Sequence, residues 1–256
     1  MAQIDVIRSI VAGMEPITLE EMDSVKLMNR IDTKFVTSMS CLSAFLALAA
    51  RAGYRVACID GERICGYDTT YYDTPDCRMY IDHHNRRLVR RKVRVRTYLG
   101  SGITFLEVKN KNNHGRTSKK RVSCSAQAPF SSNEDFLEKV AHYRPEDLSP
   151  ALRTRFSRIT LVSPQLSERL TIDMDLCFDN FRSGAESSLK DAVIIELKQD
   201  GRCASSAREM LLEKRIFPLK VSKYCIGTAL TCPLIKQNRF KIKIRSIEKI
   251  IDKPLI

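Results

Sequence analysis

The sequence predicts an α+β fold, an antiparallel β-barrel or large curved sheet with helices packed outside. Three observations point there. Segments with the two-residue alternation of a strand outnumber those with helical spacing. Many are joined by short turns, such as "LGSG" at 99–102. Strand after strand also divides into one apolar and one charged face.

The first strand is "RIDTKFV" (30–36), with Asp32 and Lys34 on one face. A helix follows, with Ser40 as its N-cap and Leu42, Phe45, Leu46 and Ala49 on its apolar side. "GYDTTYYDT" (66–74) reads as a strand, and "CRMYIDHHNRR" (77–87) is less regular. On a strand, the adjacent His83 and His84 would point to opposite faces, which argues against a shared metal. "RRKVRVRTY" (90–98) and "ITFLEVKNK" (103–111) pair as a hairpin, followed by the basic strand "GRTSKKRVSC" (115–124). "SSNEDFLEKVAHY" (131–143) opens with a Ser cap and an acidic first turn, as a helix does. Strands follow at "TRFSRITLV" (154–162), "RLTIDMDLCF" (169–178) and "AVIIELK" (192–198). "CASSAREMLLEKR" (203–215) is an amphipathic helix, and another begins near Ser222. The division is one domain, 1–235, and a basic tail, 236–256. In the tail, "RFKIKIRSIEKII" alternates Phe240, Ile242 and Ile244 with Lys241, Lys243 and Arg245, as a solvated edge strand would.

Register sharpens the hairpin. With residues 98 and 103 opposite, Arg94 faces Glu107, Lys92 faces Lys109 and Arg96 faces Phe105. Val93 and Val95 then meet Val108 and Leu106 in an apolar layer, whereas a one-residue slip spoils both faces. One face therefore carries Lys92, Arg94, Arg96, Lys109 and Lys111 against the single carboxylate of Glu107. Two unit charges 6 Å apart repel by roughly 2–3 kcal/mol at an effective dielectric near 20. Such crowding calls for strong solvation or a polyanion. If the sheet closes with its charged faces inward, the interior is a cation-lined tunnel. Arginine forks and lysine point charges both suit phosphate.

The formal charge of +13 points to an anionic partner. The tail holds seven Lys/Arg against Glu248 and Asp252, so +5 lies there and +8 in the body. A 7% aromatic content, no Trp and no reader motif argue against nucleic acid. Neither a P-loop nor a GxGxxG stretch is present. Nine cysteines without a CxxC pair suit a reducing compartment and argue against zinc. Asp5, Arg8 and Glu15 stand where a secretory signal would be apolar, so a cytoplasmic protein is expected.

"RIDTKF", "TTYYDTPD", "YIDHHNRR", "KVRVRTY", "FLEVKNK", "GRTSKKR", "RFSRITL", "RLTIDMDL", "IIELK" and "KVSKY" occur here in one order. In that order they resemble the VTC-type polyphosphate polymerase domain of the triphosphate tunnel metalloenzymes, relatives of the CYTH phosphatases. The resemblance spans roughly residues 25–230. It implies an antiparallel β-barrel tunnel with a cationic interior, binding ATP or polyphosphate with Mn²⁺ or Mg²⁺. By resemblance, Arg94, Arg96, Lys109, Arg158 and Lys223 are the catalytic cations. Lys34, Arg169, Lys120 and Lys220 bind substrate, and Glu196 is the metal carboxylate. Family members are often coupled to membrane modules, so a membrane-embedded partner is a further expectation. One departure matters. CYTH-type enzymes open with Glu-x-Glu-x-Lys, whereas this chain has Arg30-Ile31-Asp32-Thr33-Lys34. The first carboxylate is missing and the second shortened, which favours polymerase over two-metal hydrolase.

The expected chemistry is transfer of the γ-phosphate of ATP to a growing polyphosphate with release of ADP. The alternatives are a tripolyphosphatase or nucleoside triphosphatase in the same tunnel, and a non-catalytic module binding polyphosphate or inositol phosphates. Glu107 reads as a structural partner of Arg94. Asp173 and Asp175 share a face at metal-ligand spacing, or else balance Arg153 or Arg155.

Overall fold

The computed structural model describes residues 2–23, 30–201 and 204–255. In chain order the elements are α1 (Gln3–Gly13), β1 (Pro16–Ile17), α2 (Leu19–Asp23), β2 (Arg30–Ser38), α3 (Met39–Arg51), β3 (Arg55–Ala57), β4 (Cys65–Asp73), α4 (Arg78–His84), β5 (Arg90–Tyr98), β6 (Thr104–Lys111) and β7 (Thr117–Ser123). They continue with α5 (Glu134–Ala141), β8 (Ser149–Val162), β9 (Glu168–Asn180), β10 (Glu186–Ser188), β11 (Ala192–Asp200), α6 (Ser206–Glu213), α7 (Lys223–Thr231) and α8 (Asn238–Ile251). The main sheet runs β2-β11-β9-β8-β4-β5-β6-β7 and is antiparallel throughout. It curls into a half-barrel with helices outside, the α+β architecture expected.

Alternation of side chains separates the layers. Phe35, Ile159, Leu170, Ile172, Ile195 and Leu197 bury one face of β2, β8, β9 and β11 under α1, α3 and α6. Val93, Val95, Leu106 and Val108 form a smaller layer with Leu137 and Ala141 of α5. Val36, Ile194, Leu176 and Phe178 belong instead to a core shared with Tyr224 and Ile226 of α7 and Phe240 and Ile244 of α8. Since Phe35 and Val36 are neighbours on one strand, α7 and α8 lie on the face opposite α3. They close part of the face that carries the charges.

Several expectations change in detail. The tail is a helix, because Phe240, Ile244, Ile247 and Ile251 recur at helical spacing and all are buried. Ile242, which suggested a strand, is left 71% exposed. Residues 78–84 are likewise helical, so His83 and His84 never meet a strand's two faces. The cap of α3 is Ser38, whose Oγ accepts from the Cys41 amide, rather than Ser40. The predicted helix start at Cys203 lies outside the described residues.

α7 sits unusually close to the sheet. A Cβ at Gly227 would fall 2.5 Å from Phe178 Cδ1 and 2.7 Å from Leu152 Cδ2. Only glycine permits this approach. The helix begins at Ser222, whose Oγ accepts from the Cys225 amide, and its next residue is Lys223. Tight packing of α7 thus sets how far the Lys223 side chain reaches over the strands.

Candidate functional site

The hairpin register is the predicted one: Arg94 opposes Glu107, Lys92 opposes Lys109, and Val93 and Val95 oppose Val108 and Leu106. Arg94 Nε donates to Glu107 Oε2 at 2.7 Å and Nη2 lies 2.6 Å from the same oxygen. Lys119 takes Oε1 at 2.9 Å. The carboxyl is 1% exposed. Burial alone would raise its pKa, but Arg94, Arg96 and Lys119 outweigh that and hold it at about 2.

Next along the face, Arg158 grips Asp173 with both ends of its fork, Nε to Oδ1 at 2.5 Å and Nη2 to Oδ2 at 2.9 Å. Lys223 donates to Oδ2 from α7. These two cations hold the buried carboxylate far below its usual range despite desolvation. Asp175 does not share this face. Its φ is +54° at an irregularity where β8 and β9 shift register, so it turns outward and is exposed. Arg153 and Arg155 pair elsewhere, with Asp68 and Asp179.

On the far strands Lys34 opposes Glu196, their charged atoms 3.9 Å apart, and Lys198 approaches the other carboxylate oxygen at 3.5 Å. Burial opposes ionisation of Glu196, yet Lys34, Lys198, Lys109 and Lys223 keep it well below the usual carboxylate range. Arg169 lies on the same face of β9 as Asp173, directly opposite Lys198.

Six strand spacings separate β2 from β6, about 29 Å on a flat sheet. Yet Lys34 is the strongest charged neighbour of Lys109, and Glu196 the next. The sheet therefore curls toward its charged face and brings both arms of the half-barrel together. Arg96 is 6% exposed and donates from Nε to Thr69 Oγ1 at 3.1 Å. Its guanidinium lies 5.4 Å from the Tyr67 ring centroid and 5.8 Å from that of Phe156. Among the described residues no carboxylate pairs with Arg96, Lys92 or Lys109. Burial, then Arg94 and Arg158, pull Arg96 down to about 10. Burial and neighbouring cations bring Lys198 and Lys223 down to about 8. Lys109 falls to about 8 for the same reasons, although its side chain stays open to solvent, where screening weakens the effect.

Tyr71 was not singled out from the sequence. It opposes Arg94, and its hydroxyl accepts from Arg94 Nη1 at 3.4 Å. Its ring stacks on Tyr224. Burial would raise its pKa, but Arg94, Arg96, Lys92 and Lys223 bring it to about 8.

Arg94, Arg96, Lys109, Arg158, Lys223, Lys34 and Glu196 thus converge on one curled face, with Arg169 toward one end. Lys220 is exposed on the approach to α7, its carbonyl accepting from Lys243 Nζ at 2.5 Å. Lys120 does not join them. It opposes Val108 and so shares the outward side of β7, while Lys119 opposes Lys109 and faces the cluster. The signal was in the sequence: Val122 marks the apolar side, and Lys120 is two residues from it. Lys92, Lys119 and Lys198 are the cations absent from the expected set. Lys92 Nζ donates to Ser222 Oγ at 2.7 Å.

Among the described residues no three His, Cys, Asp or Glu side chains gather as a metal site. Asp173 and Glu107 are each held by two cations, which leaves Glu196 as the carboxylate with looser contacts. This donor set does not fit an ion caged by protein alone. It fits a hard divalent ion that arrives on phosphate oxygens and adds one carboxylate.

The chain matches the VTC domain model over residues 29–232 and belongs to that family. No curated protein matches it. Among solved structures, a candidate adenylate cyclase from Vibrio parahaemolyticus aligns at a TM-score of 0.45 and 12% identity, covering 77% of this chain and 96% of that one. A candidate adenylate cyclase from Bacillus halodurans gives 0.48 and 16%, covering 76% and 96%. HpAC1 from Hippeastrum, a candidate adenylyl cyclase described as having a dominant triphosphatase activity, gives 0.49 and 14%, covering 82% and 99%. Among the described residues no helix is long and apolar enough to cross a membrane.

Proposed function

We propose that this protein is a triphosphate-tunnel enzyme that transfers the γ-phosphate of ATP to the end of a growing polyphosphate, releasing ADP. VTC family membership supports the class. The observation that carries the reading is the charge balance of the curled face. Its three buried or half-buried carboxylates, Glu107, Asp173 and Glu196, are each already flanked by two cations. Among the described residues Arg96, Lys92 and Lys109 are not paired with a carboxylate. Such an arrangement is stabilised by a bound polyanion and strained without it.

Phosphoryl transfer asks mainly for alignment and charge neutralisation. Arg94, Arg96, Lys109 and Lys34 hold the triphosphate, Arg94 being fixed by Glu107. Arg158 and Lys223, locked in place by Asp173, stabilise charge on the transferring group, with Arg169 beyond them. A terminal phosphate oxygen of the acceptor bonds to the γ-phosphorus as the bond to the β,γ-bridging oxygen breaks, and ADP departs with that electron pair. The acceptor is already ionised near neutral pH and needs no general base. A divalent ion such as Mn²⁺ or Mg²⁺, held by Glu196, would neutralise phosphate charge. The proposed setting is cytoplasmic, beside a membrane-embedded partner that would receive the polymer.

Incubation of the purified protein with ATP and Mn²⁺ or Mg²⁺, with products resolved by length, tests this. Long chains with ADP are expected. Orthophosphate without chains would instead make it a triphosphatase, and tight binding without turnover a storage or sensing module.

A further inference from the structure

A second group of cations lies where the β5–β6 hairpin meets the loop into α7 and the tail helix. Arg90 and Lys111 are directly opposed across the hairpin, a like-charge pair that destabilises a sheet unless something answers it. Lys111 feels the charges of Arg90 and Lys220. Lys243 of α8 donates to the Lys220 carbonyl and feels Lys220, Arg86 and Lys92. Among the described residues none of Arg90, Lys111, Lys220 and Lys243 is paired with a carboxylate. His83 is half-buried amid the same charges, and desolvation with Lys92, Arg90, Lys243 and Lys220 pulls its pKa well below the usual imidazole range. Four elements far apart in sequence thus deliver cations, and no counter-charge, to one place.

The group is continuous with the site already described. Lys92 links them: it opposes Lys109, stands two residues from Arg90 on β5, and its Nζ donates at 2.7 Å to Ser222 Oγ, two residues beyond Lys220. The row of cations therefore extends from Arg169 at one end of the curled face, through Arg158, Lys109 and Lys92, to Lys111 and Lys243. That row is longer than a triphosphate needs.

We infer that Arg90, Lys111 and Lys243, with Lys220, form an exit track that holds the distal part of a linear polyphosphate chain. This rests on the polyphosphate reading proposed above and specifies where the polymer leaves. The occupant is a flexible linear phosphate polymer, because the track offers point charges in a row and no aromatic platform for bases.

The test uses the full chain carrying Arg90→Gln, Lys111→Gln and Lys243→Gln together, with affinities for tripolyphosphate and for long-chain polyphosphate measured without turnover. Long-chain affinity is expected to fall about tenfold and its salt dependence to flatten, while tripolyphosphate affinity stays within about twofold. Equal loss for both ligands, or no loss for either, would overturn the track. So would single-stranded RNA of matched charge competing as well as polyphosphate against the unmodified protein. Because the Lys243 bond to Lys220 could matter to folding, Lys111→Gln alone serves as the second variant. It is expected to weaken only long-chain binding, by about threefold. The measurement is independent of catalysis. Selective loss of long-chain binding in a protein that makes no polymer upholds the track and removes the polymerase reading, and normal long-chain binding in an active variant does the reverse.

Discussion

Arg158 and Asp173 face each other across β8 and β9 with two hydrogen bonds, and Asp173 is only 2% exposed. The pair is a buried anchor that aims cationic groups at a space. Removing one partner of a buried pair strands the other, at a cost of about 3–5 kcal/mol. Asp173→Ala is therefore expected to lower unfolding stability by that amount and also to weaken tripolyphosphate binding, read by urea denaturation and calorimetry. Unchanged stability would show that Arg158 and Lys223 do not depend on this carboxylate.

The two lysines at 119 and 120 give a sharper contrast. Lys119→Gln is expected to weaken tripolyphosphate binding by about fivefold, since it faces Lys109 and Glu107. Lys120→Gln, on the other side of the strand, is expected to stay within about twofold of the parent. Equal effects would mean that β7 is turned the other way.

Proton linkage supplies a third measurement. Burial and neighbouring cations bring Lys198 and Lys223 down to about 8, and the more exposed Lys109 is lowered more weakly, all below the unfolded value for lysine. Between about pH 8 and 10 the unfolded chain binds more protons at these positions, so their contribution makes the empty protein more stable as pH rises. Binding runs the other way, because lysines that lose protons attract phosphate less. Tripolyphosphate affinity at fixed ionic strength is expected to decline from pH 7 to 9.5, and less steeply in Lys198→Arg. A flat profile in the parent would refute the assignment.

Glu196→Gln removes the carboxylate offered to a divalent ion. The Mn²⁺ concentration needed to enhance tripolyphosphate binding is expected to rise about tenfold, followed by titration calorimetry. In the absence of metal, tripolyphosphate is expected to bind as well or better, because Lys34 and Lys198 lose a competitor. Loss of binding without metal would assign Glu196 a purely structural role.

Deleting residues 236–256 tests the tail. Phe240, Ile244, Ile247 and Ile251 are buried, and each contributes about 1.5–3 kcal/mol. Together they approach the total stability of an ordinary domain, about 5–15 kcal/mol. The shortened chain is expected to be insoluble or to melt at much lower temperature, whereas a dispensable tail would leave melting unchanged.

The sequence made some of this legible and concealed the rest for physical reasons. The β5–β6 register followed from alternation alone, because a slip would put arginines into an apolar layer. Lys120 enters by resemblance alone, and it lies in a run of three consecutive cations where only Val122 distinguishes the faces. The tail misled because Phe240 and Ile244 satisfy both a two-residue and a helical period, and only Ile247 and Ile251 break the tie. Asp175 left its face through a local irregularity that alternation cannot reveal. The meeting of Lys34 with Lys109 depends on how strongly the whole sheet curls, which no local pattern encodes.

The acidified Tyr71 hydroxyl, set among lysines that hold their protons loosely, has an electrical consequence. An empty face so crowded cannot keep every group at full charge, so near pH 8 it sheds protons from lysines and from the phenol alike. A polyanion bound there would draw those protons back from solvent. The wall then acts as a charge buffer, taking up protons that offset part of the negative charge a bound polyanion brings.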